Sequence, residues 1–224
     1  MKEFLNSLKK VGFNPTNILD IGAHHGHWST EAHSVFEEAN MTMVEPIDYP
    51  ELKRFDDNDK FSYRNVLLDE RRWVRDWFEK KNTGDSIFRE TTGHFENCIP
   101  QKRMTTTLDD EFFEHFSTGP ELIKMDTQGA EIPILKGGKI ILKNNQIIIM
   151  EIPFVGVYNE NVPNFSAHVQ FMDEIGYTPL GIADELYHSI GDYSFCSTHL
   201  DLAFIRKSHA ILKEQQNKIS NMGR

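Results

Sequence analysis

Short apolar runs that finish beside an acid or a glycine, alternating with segments of helical period, restrict this chain to a small set of folds. The runs are "NILDIG" at 17–22, "MTMVEP" at 41–46, "ELIKMD" at 121–126 and "QIIIMEI" at 146–152. Helical spacing marks 27–39, 108–116, 129–145 and 165–176, and an N-terminal segment with Phe4, Leu5, Leu8 and Val11 on one side. Near-continuous apolar strands alternating with helices read as a parallel sheet covered on both faces. "FSYRNVLL" at 61–68 reads as a third strand and "RRWVRDWFEKK" at 71–81 as an amphipathic helix. "TPLGIA" at 178–183 and "LDLAFIRK" at 200–207 have no helical stretch between them, so they read as a hairpin with a loop from Asp184 to His199, adding an antiparallel strand. No repeat or low-complexity linker divides the 224 residues, and one α/β domain is expected.

The net charge of −10 argues against a nucleic acid as partner, because phosphate backbones are bound by clustered Lys and Arg. No apolar run reaches the roughly 20 residues that span a bilayer, and the first residues lack a signal-peptide core, so no membrane association is expected. Cys98 and Cys196 stand far apart and in no metal-ligand spacing; free thiols in a reducing, cytoplasmic setting are the expectation. Oligomeric state is left open, although the polar tail "ILKEQQNKI" has the spacing to pack on a partner.

"ILDIGAHHG" at 18–26 places a turn at the carboxyl edge of the first strand, where open parallel sheets bind ligands. Asp20 is placed to accept hydrogen bonds in that turn, and Gly22 and Gly26 let the backbone approach a ligand closely. Glu45, at the end of the second strand, stands where a carboxylate takes the two hydroxyls of a ribose. The glycines follow G-x-x-x-G, with Ala23 and His24 inside, and not the G-x-G-x-x-G that a pyrophosphate needs. That spacing disfavours a nicotinamide-dependent oxidoreductase and suits a ribose-bearing cofactor without pyrophosphate, such as S-adenosylmethionine. His24, His25 and His27 diverge in a tight turn and do not carry the i, i+4 spacing of helical metal ligands; His24 is the one expected beside the cofactor.

The stretch "ELIKMDTQGAEIPILKGG" at 121–138 resembles the FkbM-like family of S-adenosylmethionine-dependent methyltransferases, through Lys124, Asp126, Gln128, Gly129, Ala130, Glu131, Leu135, Lys136 and Gly137. "ILDIGAHHG" is similar to that family's first motif, with His24 where asparagine is commoner; "GDSIF" at 84–88, "TTLDD" at 106–110 and "LDLAFI" at 200–205 are further landmarks. The resemblance implies the class I methyltransferase fold: a Rossmann-like, seven-stranded sheet, mostly parallel with an antiparallel last strand, and helices on both faces. It divides the chain into an N-terminal helix (1–17), a methyltransferase domain (18–207) and a polar tail (208–224). It also implies methyl transfer to a hydroxyl of a sugar, polysaccharide or related natural product. The rival from another class is a non-catalytic nucleoside-binding module on the same fold.

Methyl transfer asks the protein to align the acceptor and to take its proton. Asp126, ending the fourth strand, is the first candidate, orienting either the acceptor or the amino group of the cofactor. Glu151 closes an apolar strand at the same edge. Glu131 reads equally as a carboxylate favoured at a helix N-terminus. His94 and His199 are the candidate general bases, ahead of His188. A divalent-metal route, with Mg²⁺ on Asp126, Glu151 and Asp201, is chemically open but has no motif behind it. For the cofactor the expected contacts are Asp20, Gly22, Ala23, His24, Gly26, Glu45 and Asp126, with Asp69 toward adenine and Ser86 of "GDSIF" on the pocket wall. Phe88, Phe95, Phe154 and Tyr158 are candidates for an acceptor wall, and "IPFVGVYNENVP" at 152–163 for the acceptor loop.

Overall fold

A computed structural model describes residues 1–91, 93–116, 118–154, 159–187 and 197–214. Tyr158, His188, Cys196 and the end of the tail lie outside the described residues, as does the side chain of His94. In chain order the first half carries α1 (Lys2–Lys10), β1 (Asn17–Ile21), α2 (His27–Val35), β2 (Asn40–Val44), β3 (Phe61–Arg64), β4 (Leu67–Leu68), β5 (Val74–Trp77) and β6 (Gln101–Thr106). The second half carries α3 (Leu108–Phe112), β7 (Leu122–Met125), α4 (Glu131–Lys136), β8 (Ile147–Pro153), α5 (Phe165–Glu174), β9 (Tyr177–Tyr187) and β10 (Ser197–Arg206).

The main sheet has seven strands in the order β3-β2-β1-β7-β8-β10-β9. Only β10 runs against its neighbours, β8 and β9, which is the architecture the sequence implies. The central strands are apolar on both sides because both sides are covered. Leu5 and Leu8 of α1 and Ala32 and Val35 of α2 pack with Ile18, Leu122, Ile147 and Ile149 on one face. Phe112 of α3, Ile134 of α4 and Met172 of α5 pack with Leu19, Ile123, Ile148 and Met150 on the other. Each such buried Val, Leu, Ile, Met or Phe side chain contributes roughly 1.5–3 kcal/mol of burial.

Four expectations change. The run at 61–68 is not one strand: β3 pairs with β2 in the main sheet, and β4 pairs with β6 outside it. Residues 71–81 form no helix: β5 pairs antiparallel with β6, and β6 pairs parallel with β4, in a separate three-stranded sheet. The pairing with β6 decides it, leaving Val74 exposed and Trp77 buried, with Arg71 and Arg75 stacked on Trp73. The helix after Gly129 is short, stopping at Lys136 before Gly137–Gly138, with a 3₁₀ turn at Ile141–Lys143. The closing hairpin is longer than its apolar runs, so His199 lies within β10, opposite Pro153, and not ahead of it.

Candidate functional site

The chain leaves β1 toward β2 and β3, then returns to β7 on the other side of β1, making a switch point between β1 and β7. A cleft of about 1210 Å³ opens there, at the carboxyl ends of the strands. Its floor is two turns in contact. Gly22, at φ +80°, stands so close to the Asp126 carbonyl that a Cβ would lie 1.9 Å from the oxygen. The Gly22 and Ala23 amides both donate to the Val44 carbonyl (2.9 and 3.1 Å), which folds the turn back over β2. Gly26, also in the left-handed region, starts α2 where a Cβ would strike the Phe55 ring at 2.6 Å.

His24 takes a left-handed φ of 48°, at a cost of about 1 kcal/mol. Its amide donates to Glu45 Oε2 (3.0 Å), and its ring packs on Tyr49 and His25. The other Glu45 oxygen accepts from the Ile47 amide (3.0 Å). Glu45 is buried at the cleft wall, and burial pushes its carboxyl up to about 7 against the two amides. Gly22, Ala23, His24, Glu45 and Asp126 therefore line one cavity, and Gly26, at the start of α2, does not.

Other expected contacts lie elsewhere. Asp20 points beneath the turn and accepts from the Ser29 hydroxyl (2.5 Å), tying β1 to α2; burial pushes it up to about 6, and it does not line the cleft. Asp69 is spent on the Trp73 indole (2.7 Å), its neighbour's amide and Arg75 (3.4 Å). Leu67 and Leu68 face the cleft in its place. Ser86 is buried behind the wall, its hydroxyl donating to the carbonyls of Gln128 (3.0 Å) and Thr127 (3.3 Å). It pins the "GDSIF" segment to the "DTQG" turn, while its neighbours Asp85 and Ile87 line the cavity. Phe95 is core, Phe88 packs against the core, and Phe154 packs on Phe165; the aromatic lining is Trp28, Tyr49 and Trp77.

At the other end of the cleft, Asp126, Gln128, Glu151 and His199 come together. The Gln128 amide donates to both Asp126 Oδ1 (2.9 Å) and Glu151 Oε2 (2.7 Å). Burial works to raise Asp126, but the Lys124 ammonium together with hydrogen bonds from Gln128, Glu151 and Lys124 outweighs it and holds that carboxyl below its ordinary range; burial and the Asp126 charge push Glu151 well up. The Lys124 ammonium lies 3.1 Å from Asp201 and 3.6 Å from Asp126. It takes the place a Mg²⁺ would need between those carboxylates, so the residues present do not fit a metal. Glu131 accepts from the amide (2.8 Å) and hydroxyl (2.9 Å) of Thr127 and holds the turn in shape; it does not line the cleft. Lys124 and Gln128 carry no signal of these roles beyond their place in the motif.

A family model described as Methyltransferase FkbM domain matches residues 20–179. None of the curated proteins matches the chain. Among solved structures, methyltransferase FkbM from Methylobacillus flagellatus KT is similar at TM-score 0.51 and 15% identity, over 85% of this chain and 43% of that one. This chain thus spans less than half the length of that relative. A fibrillarin/NOP5P complex is similar at TM-score 0.50 and 13% identity, over 91% and 80% of the two chains. A 1,6-didemethyltoxoflavin-N1-methyltransferase from Burkholderia thailandensis, solved with S-adenosylhomocysteine, reaches TM-score 0.49 at 8% identity, over 92% and 78%. At such identities the first two structures speak for the fold alone, while the family match covers most of the sequence: the chain belongs to the FkbM methyltransferase family.

Proposed function

We propose that this protein transfers the methyl group of S-adenosylmethionine to a hydroxyl of a sugar, polysaccharide or related natural product. The observation that carries the reading is one cleft with two chemically different ends. A bare-backbone turn with a buried glutamate lies at one, and a carboxyl pair at the other. The cofactor supplies a methyl already activated on a sulfonium.

The residues present fit that cofactor. At Gly22 no side chain blocks the methionine portion, and the Glu45 carboxylate keeps lone pairs for the ribose hydroxyls after its two amide bonds. Ile47, Leu67 and Leu68 offer an apolar wall to the base. Asp126, the ionised member of the pair, receives the acceptor's proton, a role worth about 10²–10⁴ in rate. His199 lines the same end and is the second base candidate. Holding the acceptor in line with the methyl provides the larger share of the acceleration.

The test is calorimetric titration with S-adenosylhomocysteine, with NAD as control, followed by mass spectrometry of sugar acceptors incubated with S-adenosylmethionine, with and without Mg²⁺. One-site binding of the first ligand alone and Mg²⁺-independent methylation of a hydroxyl are expected. Saturable NAD binding would sink the reading; cofactor binding without transfer to any acceptor would turn it into a binding module.

A further inference from the structure

The carboxyl end of the cleft stands on an unusual concentration of acids. Side chains alternate across a strand, and Asp20, Lys124, Glu151 and Asp201 share the face whose lower part is Ile18, Leu122, Ile149 and Ala203. Asp201 lies directly opposite Glu151 across β8 and β10, and opposite Asp184 across β10 and β9. Like charges facing one another across strands repel. Asp184 is 53% exposed, so water screens it. Asp20, Asp126, Glu151 and Asp201, of which only Asp20 is fully buried, have among the described residues one cation within ion-pair distance, Lys124, whose side chain is 5% exposed and which reaches Asp201 and Asp126. Among the described residues Glu151 has no cation within ion-pair distance. What it has is the Gln128 amide, shared with Asp126.

We propose that Asp126 and Glu151 form a dyad holding one proton between them, with Lys124 and Gln128 as its positioning residues. Lys124 keeps Asp126 as the carboxylate, and Gln128 keeps Glu151 against it as the acid. Two carboxyls this close do not both ionise, and the proton goes to the one without a cation. The groups facing the pair are Asp20 from β1, His24 from the turn after it, Lys124 from β7, Asp201 and His199 from β10, and Asp184 from β9 beyond them. The directions found for the two carboxyls agree: burial and the Asp126 charge raise Glu151, and Lys124 together with the hydrogen bonds at the carboxylate overcomes burial to lower Asp126.

The catalytic use of the dyad rests on the methyl-transfer reading; its proton count does not. In turnover the acceptor's O–H proton passes to Asp126 as the O–CH₃ bond forms and the S–CH₃ bond breaks. The sulfonium charge is lost, and the dyad is left with two protons. One must leave to water before the next cycle.

The test is a carbon-13 NMR titration of the Asp and Glu carboxyls in the whole protein, without cofactor or acceptor. Asp126→Asn and Glu151→Gln assign the two signals. At pH 7 the Glu151 signal is expected to be that of the acid and the Asp126 signal that of the carboxylate. Asp126→Asn is expected to lower the Glu151 midpoint by at least one pH unit, tenfold in proton affinity. Lys124→Met is expected to raise the Asp126 midpoint. If Lys124→Met does not fold, Lys124→Arg keeps the charge and is expected to keep the wild-type proton count. A Glu151 midpoint near the ordinary 4.3, or one unmoved by Asp126→Asn, would overturn the dyad. Because this readout needs no ligand, a dyad found in a protein that fails to bind S-adenosylhomocysteine would sink the methyl-transfer reading alone.

Discussion

Glu45 and Glu151 are the same residue type at strand ends beside the same cleft, Glu45 buried and Glu151 half-buried, and desolvation pushes each of them up. They differ in what holds them. Backbone amides of His24 and Ile47 grip Glu45. Side chains grip Glu151: the Gln128 amide, with Asp126 and Lys124 behind it. The end proposed for the cofactor is thus made largely of backbone geometry that a turn motif specifies. The end proposed for the acceptor is made of side chains from β8, β10 and the β7 strand with the turn after it.

The largest expected effect comes from breaking the backbone end at its tightest point. In Gly22→Ala the new methyl lies within 1.9 Å of the Asp126 carbonyl, at a φ of +80° that alanine disfavours. The clash is with main chain, so no rotamer relieves it. A loss of about 3 kcal/mol or more is expected, read as a large fall in thermal midpoint together with loss of S-adenosylhomocysteine binding. A stable, binding Gly22→Ala protein would show that the two turns do not lock each other.

Glu45→Gln probes the same end more gently, and its pH dependence has a definite sign. The folded protein holds the Glu45 proton up to about 7, whereas the unfolded chain releases it near 4.5. Between those values the folded state carries the extra proton, so stability falls as pH rises and levels off above 7, by about 3 kcal/mol in all. Ribose hydroxyls donate to the ionised form, so cofactor affinity should strengthen as pH rises through 7. Glu45→Gln is expected to flatten both slopes and to weaken binding roughly 10- to 100-fold. Calorimetry from pH 5.5 to 8.5 checks this, and an unchanged slope would remove Glu45 from the ribose role.

The same contrast explains what the sequence disclosed. β1, β2, β7 and β8 are legible because both of their faces are buried, leaving near-continuous apolar runs. The turn at 22–26 and Glu45 are legible because glycine spacing and a strand end mark positions in the backbone. A position at a strand edge does not say to which side a carboxylate turns: Asp20 turns to Ser29, and Asp69 to Trp73 and Arg75. The stretch 71–81 satisfies a helical period about as well as a strand's, and only its pairing with β6 decides. Lys124 and Gln128 acquire their roles from Asp201 and Glu151, residues far along the chain, so no local pattern announces them.

Ser86→Ala gives the smallest effect and sharpens the comparison most, because it touches the acceptor end without touching the cleft. The hydroxyl is buried and donates to the carbonyls of Thr127 and Gln128 while accepting from the Phe88 amide (3.1 Å). Its removal leaves those groups short of a partner, at about 1 kcal/mol or somewhat more. The energy is small, but it is lost where the segment carrying Asp85 is fastened to the turn carrying Gln128, so the carboxyl pair loses its fixed backdrop. S-adenosylhomocysteine affinity should stay within about twofold of wild type, since the contacts of Glu45 and Gly22 are untouched, while turnover falls severalfold as alignment loosens. Should affinity and turnover fall together, the two ends of the cleft would be one mechanical unit, and the division between a backbone-made and a side-chain-made half would not hold.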